Sequence, residues 1–296
     1  MNTQKEVKYS DLVKNKFPEL FAPYIDGVSF EMNKHILILY SGGLDSKILE
    51  RYAQVTNPNA KITKVWFDIG QEYNEKERAC LDSSVEIRKI DYLRDVKGVS
   101  KDGNVCGSIM IPGRNAVLAM LGASIYLPDE IWMGAVKGED NSGATDKNRE
   151  FVRLFNDCIG YVLSPYKKVT LRFPFVETFK GKSEIVSWAL RNGLSKEELM
   201  ATSSCLSGEA GNCGTCIVCV RRWGIFYSLG FEEKYNNNLF SDKNAIDYLI
   251  NVLIDDGSHY DEYRKREVIP ALKKKFNVNN EDELLKILND LKERCK

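Results

Sequence analysis

Two short runs in this chain bring together residue types that do chemistry. The first is Ser41-Gly42-Gly43-Leu44-Asp45-Ser46, with two hydroxyls, two bare backbone positions and one carboxylate. At a turn from strand into helix, such a run aims backbone N–H groups and the positive end of the helix dipole at one point, which suits an anion. Gly42 and Gly43 let phosphate oxygens approach the backbone, and Ser41 and Ser46 add donors. The second run is Cys205, Cys213, Cys216 and Cys219, spaced Cys-x7-Cys-x2-Cys-x2-Cys. Two overlapping Cys-x2-Cys units put four sulfurs within reach of one ion, and Gly208, Gly211 and Gly214 let the loop wrap it. The expected occupant is a structural Zn2+ in closed tetrahedral coordination. An iron–sulfur cluster also takes four thiolates, and the spacing alone does not exclude it.

The elements that must position these residues follow from the hydrophobic pattern. Residues 36–40 form a short apolar run of strand length, and 45–55 read as the helix after it. Further strands are expected at 62–69, 84–90, 130–135 and 169–175. Helices are expected at 75–83, 116–126, through the 150s to Gly160, from 182 to Asn192 with Gly193 as its stop, and at 196–201. Alternating strands and helices argue for a parallel sheet covered on both faces. Ligands of such sheets bind beyond the carboxyl ends of the strands. Asp68, Gln71 and Asp91 would lie on that edge with the Ser-Gly-Gly turn, although Asp68 and Asp91 could equally just end strands. Arg114 falls at a helix start, where a cation gains nothing from the dipole, so an anionic ligand or acidic partner is expected there. Arg221 and Arg222 fit either a phosphate contact or a solvated helix face. From about Phe240 the chain reads as helical, with an apolar stripe of Leu284, Ile287, Leu288 and Leu291 that packs on the body or on a second subunit.

Composition narrows the class. The 296 residues carry 42 Lys+Arg and 42 Asp+Glu, so no net charge marks a stable nucleic-acid binder. Only His35 and His259 are present, which argues against a His-based triad. The start is polar and charged and resembles no signal peptide, and no apolar run approaches membrane-spanning length. Eight cysteines without an export signal point to a reducing compartment, with cytoplasmic placement expected. Cys80, Cys106, Cys158 and Cys295 have no motif and read as buried or incidental thiols.

The first run is neither the nucleotide loop ending Gly-Lys-Ser/Thr nor the three-glycine dinucleotide fingerprint. It resembles the pyrophosphate loop of the ATP pyrophosphatases. Added to it are Asp68-Ile69-Gly70-Gln71 with Glu75 or Glu77, Ile111-Pro112-Gly113-Arg114-Asn115-Ala116-Val117, Lys182-Ser183-Glu184-Ile185-Val186, and the cysteine cluster, in this order. Together they resemble the 7-cyano-7-deazaguanine (preQ0) synthase family of queuosine biosynthesis, over about residues 34–226. The loop at 142–151 departs from the family pattern at Ala144, Thr145 and Asn148, which leaves the substrate open. The ends are also longer than the family core.

The resemblance implies an α/β fold, adenine nucleotide α-hydrolase-like, with a doubly wound, mostly parallel sheet, a four-cysteine zinc loop and a helical C-terminal extension. The expected divisions are an N-terminal extension at 1–33, the ATP pyrophosphatase domain at 34–201, the zinc region at 202–229 and the extension at 230–296. It implies an ATP-dependent C–N ligase using Mg2+ with ATP, a deazapurine carboxylate and ammonia, and working as a homodimer. ATP would sit on Tyr40, Ser41, Gly42, Gly43, Leu44, Asp45, Ser46, Asp68 and Gln71. The deazapurine would meet Arg114, Asn115, Glu139, Ser142, Asp146, Glu150 and Phe151. Catalytic roles would fall to Asp45, Arg114 and Lys182, and Lys180 is a further candidate for binding phosphate or substrate charge. Rival readings are a ligase that stops at the amide, one that passes the acyl group to another amine, a tRNA-modifying ATP pyrophosphatase, and a zinc-ribbon-like binding module without turnover.

Overall fold

A computed structural model describes residues 33–70, 74–90, 111, 113–139, 145–179, 181–205, 207, 211–256 and 262–295. Gln71, Asp91, Cys106, Ser142, Gly143, Lys180 and Gly208 lie outside them. The core is a five-stranded sheet in the order β3-β2-β1-β4-β5. The strands are β1 (His35–Leu39), β2 (Lys61–Asp68), β3 (Val85–Lys89), β4 (Glu130–Trp132) and β5 (Thr170–Arg172), and every pairing is parallel. β1 is central because both its faces are apolar. Ile36 and Ile38 enter one core cluster, and Leu37 enters the other. A strand buried on both sides must read as a continuous apolar run, as this one does.

Helices cover both faces. They are α1 (Leu44–Thr56), α2 (Asn74–Ala79), α3 (Arg114–Tyr126), α4 (Arg149–Leu163), α5 (Pro174–Thr178), α6 (Lys182–Arg191), α7 (Lys196–Met200) and α8 (Ile217–Ser228). α1, α6 and α8 pack on one face through Ile48, Leu49, Ile185, Val186 and Ile225. α3 and α4 pack on the other through Ala119, Ala123, Phe155 and Ile159. Beyond them α9 (Lys243–Ile254), α10 (Glu262–Phe276) and α11 (Glu281–Arg294) form a third cluster that also holds Val220 of α8. The expected α/β architecture with a helical C-terminal segment is the one found. No helix among the described residues is long and apolar enough to cross a membrane.

Several expected details change. β5 is shorter than the apolar run 169–175, because Pro174 cannot donate to a ladder and instead starts α5. α2 ends at Ala79 rather than in the 80s. In α11, Leu284 and Leu288 are fully buried with Leu285 and Leu291 beside them, whereas Ile287 is half-buried outside that cluster. The stripe therefore packs on α9 and the body of this chain. Cys80 and Cys295 are half-buried and Cys158 is exposed.

Candidate functional site

The chain leaves β1 in one direction to build β2 and β3, then returns to the other side of β1 for β4 and β5. The strand order therefore reverses between β1 and β4, the place where an open parallel sheet opens a crevice. A cavity of about 250 Å³ lies there. Its walls come from the carboxyl ends of β1 (Leu39, Tyr40, Ser41), β2 (Phe67, Ile69) and β4 (Met133, Gly134, Ala135). Asp45 and Ser46 of α1 and Arg114, Asn115 and Leu118 of α3 complete it, with Asn74, Glu77, Glu139 and Lys147.

The β1–α1 turn is shaped locally. Gly42 has φ +72, and a Cβ there would meet Glu77 O at 2.9 Å and the Cys80 Cβ at 3.0 Å. Glycine is required twice over, for the left-handed backbone and for the close approach of α2. The Ser41 backbone N–H donates to Ser46 Oγ at 3.1 Å, and the two hydroxyls lie 3.0 Å apart. Gly43 caps α1 and offers no side-chain cap, so among the described residues the first-turn N–H groups face an anion without a side-chain competitor. Gly134 brings β4 against α1, since a Cβ there would lie 3.1 Å from the Asp45 Cβ.

Asp45 is the charged centre of the turn. Its Oδ2 accepts from Lys182 Nζ at 2.8 Å, and its buried Oδ1 accepts no hydrogen bond among the described residues. Burial pushes the Asp45 carboxyl above the usual carboxylate range, against the pull of Lys182, and the Glu139 charge adds to the rise. A buried carboxylate oxygen left over in a cavity is what a hard cation would take up. Glu139 behaves oppositely. Burial raises it, but Lys147, Arg221 and Lys182 together outweigh that and hold the carboxyl well below the ordinary range. Its Oε2 lies 3.3 Å from Lys147 Nζ. Two half-buried acids thus share one wall, one held firmly ionised and one held back by its surroundings.

The cavity gathers Tyr40, Ser41, Asp45, Ser46, Arg114, Asn115 and Glu139 of the residues singled out in the sequence. Gly42, Gly43 and Leu44 shape the turn without lining the cavity, and Leu44 is buried in the core. Asp68 ties down its own turn, accepting from the Gly70 N–H at 3.0 Å and from Asn74 Nδ2. Lys182 is 8% exposed and reaches the site through Asp45 rather than by facing the cavity. Asp146 orders the start of α3: its carbonyl accepts from Asn115 Nδ2 at 3.2 Å and its Oδ2 from the Asn115 N–H at 3.5 Å. Glu150 is turned to solvent, paired with Arg153 at 2.8 Å, because the Asn148 cap starts α4 with Glu150 on its outer side. Phe151 packs in the core against Phe173 and Phe155. Trp66, Asn74, Leu118 and Lys147 line the cavity without having been expected there. Glu77, weighed only as part of a motif, accepts from the Trp66 indole N–H at 2.8 Å. Trp66 lines the cavity together with its β2 neighbours Val65 and Phe67, so strand alternation does not single it out, and Lys147 carries no local signal.

The cysteine cluster closes as its spacing requires. The sulfurs of Cys205, Cys213, Cys216 and Cys219 all lie within 4.8 Å of one another. Backbone N–H groups point at them, from Cys213 and Ser207 to Cys205 Sγ and from Cys216 to Cys213 Sγ, at 3.3–3.4 Å. Donors of this kind stabilise thiolates, so the four residues fit a metal ion. A Cβ on Gly214 would lie 2.4 Å from Asn237 O, so the strand of chain at 235–237 lies directly on the loop. Arg222 locks it from below. It donates to Glu233, to Thr202 Oγ1 at 3.0 Å and to the carbonyls of Leu199 and Met200 at 3.2 Å. Arg221 and Arg222 are 8% and 2% exposed, so neither lies on a solvated face and both are bound to acids rather than offered to phosphate.

Several known proteins are similar to this chain. The family model "Queuosine biosynthesis protein QueC" matches residues 90–230. A 7-cyano-7-deazaguanine synthase of Campylobacter jejuni is 29% identical over 227 residues, which cover 69% of this chain and 98% of that protein. Synthases of Alteromonas mediterranea and Sulfolobus acidocaldarius are each 26% identical over 68% of this chain, and over 98% and 47% of their own lengths. Among solved structures, the U34-tRNA thiolase NcsA from Methanococcus maripaludis, with its 4Fe–4S cluster, covers 67% of this chain and 70% of its own at TM-score 0.34 and 16% identity. The matched segment carries the helix start at Arg114 and the whole cysteine cluster, and these relatives share one activity name, so the similarity supports the QueC family of queuosine biosynthesis, the 7-cyano-7-deazaguanine synthases.

Proposed function

We propose that this chain converts 7-carboxy-7-deazaguanine and ammonia to 7-cyano-7-deazaguanine at the cost of ATP, releasing AMP and pyrophosphate. The observation that carries the reading is the β1–α1 turn: among the described residues its N–H groups have no side-chain cap and Asp45 Oδ1 accepts no hydrogen bond, and these groups converge with two hydroxyls on one cavity at the switch point. Triphosphate sits on Ser41–Ser46. Mg2+ fits beside Asp45 Oδ1, where it would neutralise phosphate charge. Arg114, at the N-terminal end of α3, supplies positive charge across the cavity. Asp68 ends β2 at the same sheet edge, and the sequence resemblance assigns Gln71 to ATP and Ser142 to the heterocycle.

The chemistry consists of making a poor leaving group good. A carboxylate oxygen of the heterocycle attacks the α-phosphate, and pyrophosphate leaves. Ammonia adds to the acyl-adenylate and AMP departs with the carboxylate oxygen, giving the amide. A second ATP takes the amide oxygen in the same way, with pyrophosphate leaving, and loss of AMP and of both N–H protons gives the nitrile. The protein's share is positioning and charge stabilisation, which needs no histidine base. The four cysteines hold Zn2+ as a closed structural site that ties 205–219 to the core, outside the reaction. The chain's divisions at 34–201, 202–229 and 230–296 follow these roles, after a leading segment at 1–33, and a cytoplasmic homodimer is the expected form.

Release of AMP measured with and without the deazapurine carboxylate tests the reading. Release dependent on the heterocycle, abolished in Asp45→Asn and Ser41→Ala, is expected. ADP as the product, or release at the wild-type rate in both variants, rejects it.

A further inference from the structure

The most unusual charge arrangement outside the cavity runs from the C-terminal helices into its wall. Arg221 of α8 is buried, and Glu267 of α10 grips it with both oxygens, accepting from Nε at 2.6 Å and Nη2 at 2.9 Å. Arg264 Nη1 reaches the same carboxylate at 3.4 Å. On the far side, Arg221 Nη1 lies 3.8 Å from Glu139 Oε1, and Glu139 lines the cavity. The backbones are fixed as well: a Cβ on Gly224 would lie 2.4 Å from Glu267 O and 3.0 Å from Val268 Cα. α8 and α10 therefore touch main chain to main chain beside the ion pair. A buried pair contributes little net stability after desolvation, but its two-point geometry fixes orientation. What the pair supplies is a defined position for the third member, Glu139.

We propose that Glu267, which lies beyond the family-matched residues 90–230, is a positioning residue for the cavity. It holds Arg221, and Arg221 together with Lys147 holds the Glu139 carboxylate in place on the cavity wall, where it would accept from a donor of the heterocycle. The C-terminal helices thereby set substrate affinity without touching substrate. The proposal rests on the reading of the cavity as the substrate site.

The test is steady-state kinetics of the full chain with ATP and 7-carboxy-7-deazaguanine, for wild type, Glu267→Gln, Glu139→Gln and the double variant. Residues coupled within one charge network justify an expected rise in KM for the heterocycle of about tenfold in Glu267→Gln, with kcat and the KM for ATP changed less than about twofold. In the Glu139→Gln background the same change adds nothing, since its route is gone. An equal effect in both backgrounds, or a lowered melting temperature with unchanged KM, makes Glu267 merely structural and overturns the proposal. Glu267→Asp, which keeps the charge on a shorter arm, is measured alongside with an intermediate KM expected, and it carries the test if the glutamine variant does not fold. Crystal structures of wild type and variant separate the two readings. If wild type turns over nothing, the functional reading falls, while a displaced Glu139 in the variant still supports the relay and an unmoved one rejects it.

Discussion

Replacing Lys182 by methionine removes the cation from a buried pair while keeping most of the side-chain volume. Lys182 Nζ lies 2.8 Å from Asp45 Oδ2, and the other oxygen accepts no hydrogen bond among the described residues. Removing one partner of such a pair costs about 3–5 kcal/mol if the remaining charge stays. Burial already pushes the Asp45 carboxyl upward, so in the variant it takes up a proton instead. The cost then falls to that of an unsatisfied buried polar group, about 1–3 kcal/mol. At about 2–4 °C per kcal/mol for a chain of this size, the unfolding midpoint drops by about 2–12 °C. A protonated Asp45 is a poor cation ligand, so AMP release falls by about 10- to 100-fold and is partly restored by excess Mg2+. The sign with pH is fixed by the same reasoning. Lys182 lowers the Asp45 value, so its loss moves the acid limb of the activity profile to higher pH. Assays of AMP release against Mg2+ concentration and pH, with circular dichroism for the midpoint, check this. A folded variant with wild-type rate, Mg2+ dependence and pH profile would refute the pairing as a functional one.

Other outcomes follow from the same geometry. Cys213→Ser removes one of four converging thiolates, and the purified variant is expected to lose its zinc and to be cleaved by protease within 205–219; wild-type protein holding no zinc by elemental analysis contradicts this. Gly42→Ala places a Cβ 2.9 Å from Glu77 O at φ +72, so both stability by denaturant titration and ATP affinity by calorimetry should fall, the former by about 1–3 kcal/mol. Arg114→Ala should leave the melting temperature within about 2 °C, as surface-type substitutions do, and depress kcat/KM for ATP strongly. Burial raises Asp82, but its bonds with Lys64 and Ser84 outweigh that and hold its carboxyl down at about 2. Its stabilising contribution is therefore present above the ordinary value of about 4 and is lost as pH falls toward 2, a dependence that Lys64→Met should flatten in acid titrations of stability.

The parts legible in the sequence are those set by local pattern. The apolar run of β1, the glycines of its turn and the overlapping Cys-x2-Cys units each announce their structure within a dozen residues. Asp45, Ser46, Arg114 and Asn115 reached one cavity because all start helices that follow strands or loops at one sheet edge. What stayed hidden depends on partners far along the chain. Arg221 and Arg222 look solvated until Glu267 and Glu233 are brought beside them. Glu150 looked placed for substrate, but the Asn148 cap sets the rotation of α4 and turns it outward. Lys147 lines the cavity and pairs there with Glu139, a partner that local sequence does not announce. In α11 the choice between Leu285 and Ile287 is decided by where α9 lies, which no local period records.

The central claim is that a carboxylate oxygen of the heterocycle is transferred to AMP at the β1–α1 turn. Mass spectrometry of AMP formed in a single turnover with 18O-labelled 7-carboxy-7-deazaguanine and ammonia measures that transfer directly. AMP carrying one 18O atom is the expected result. Unlabelled AMP, or ADP in its place, would contradict the account.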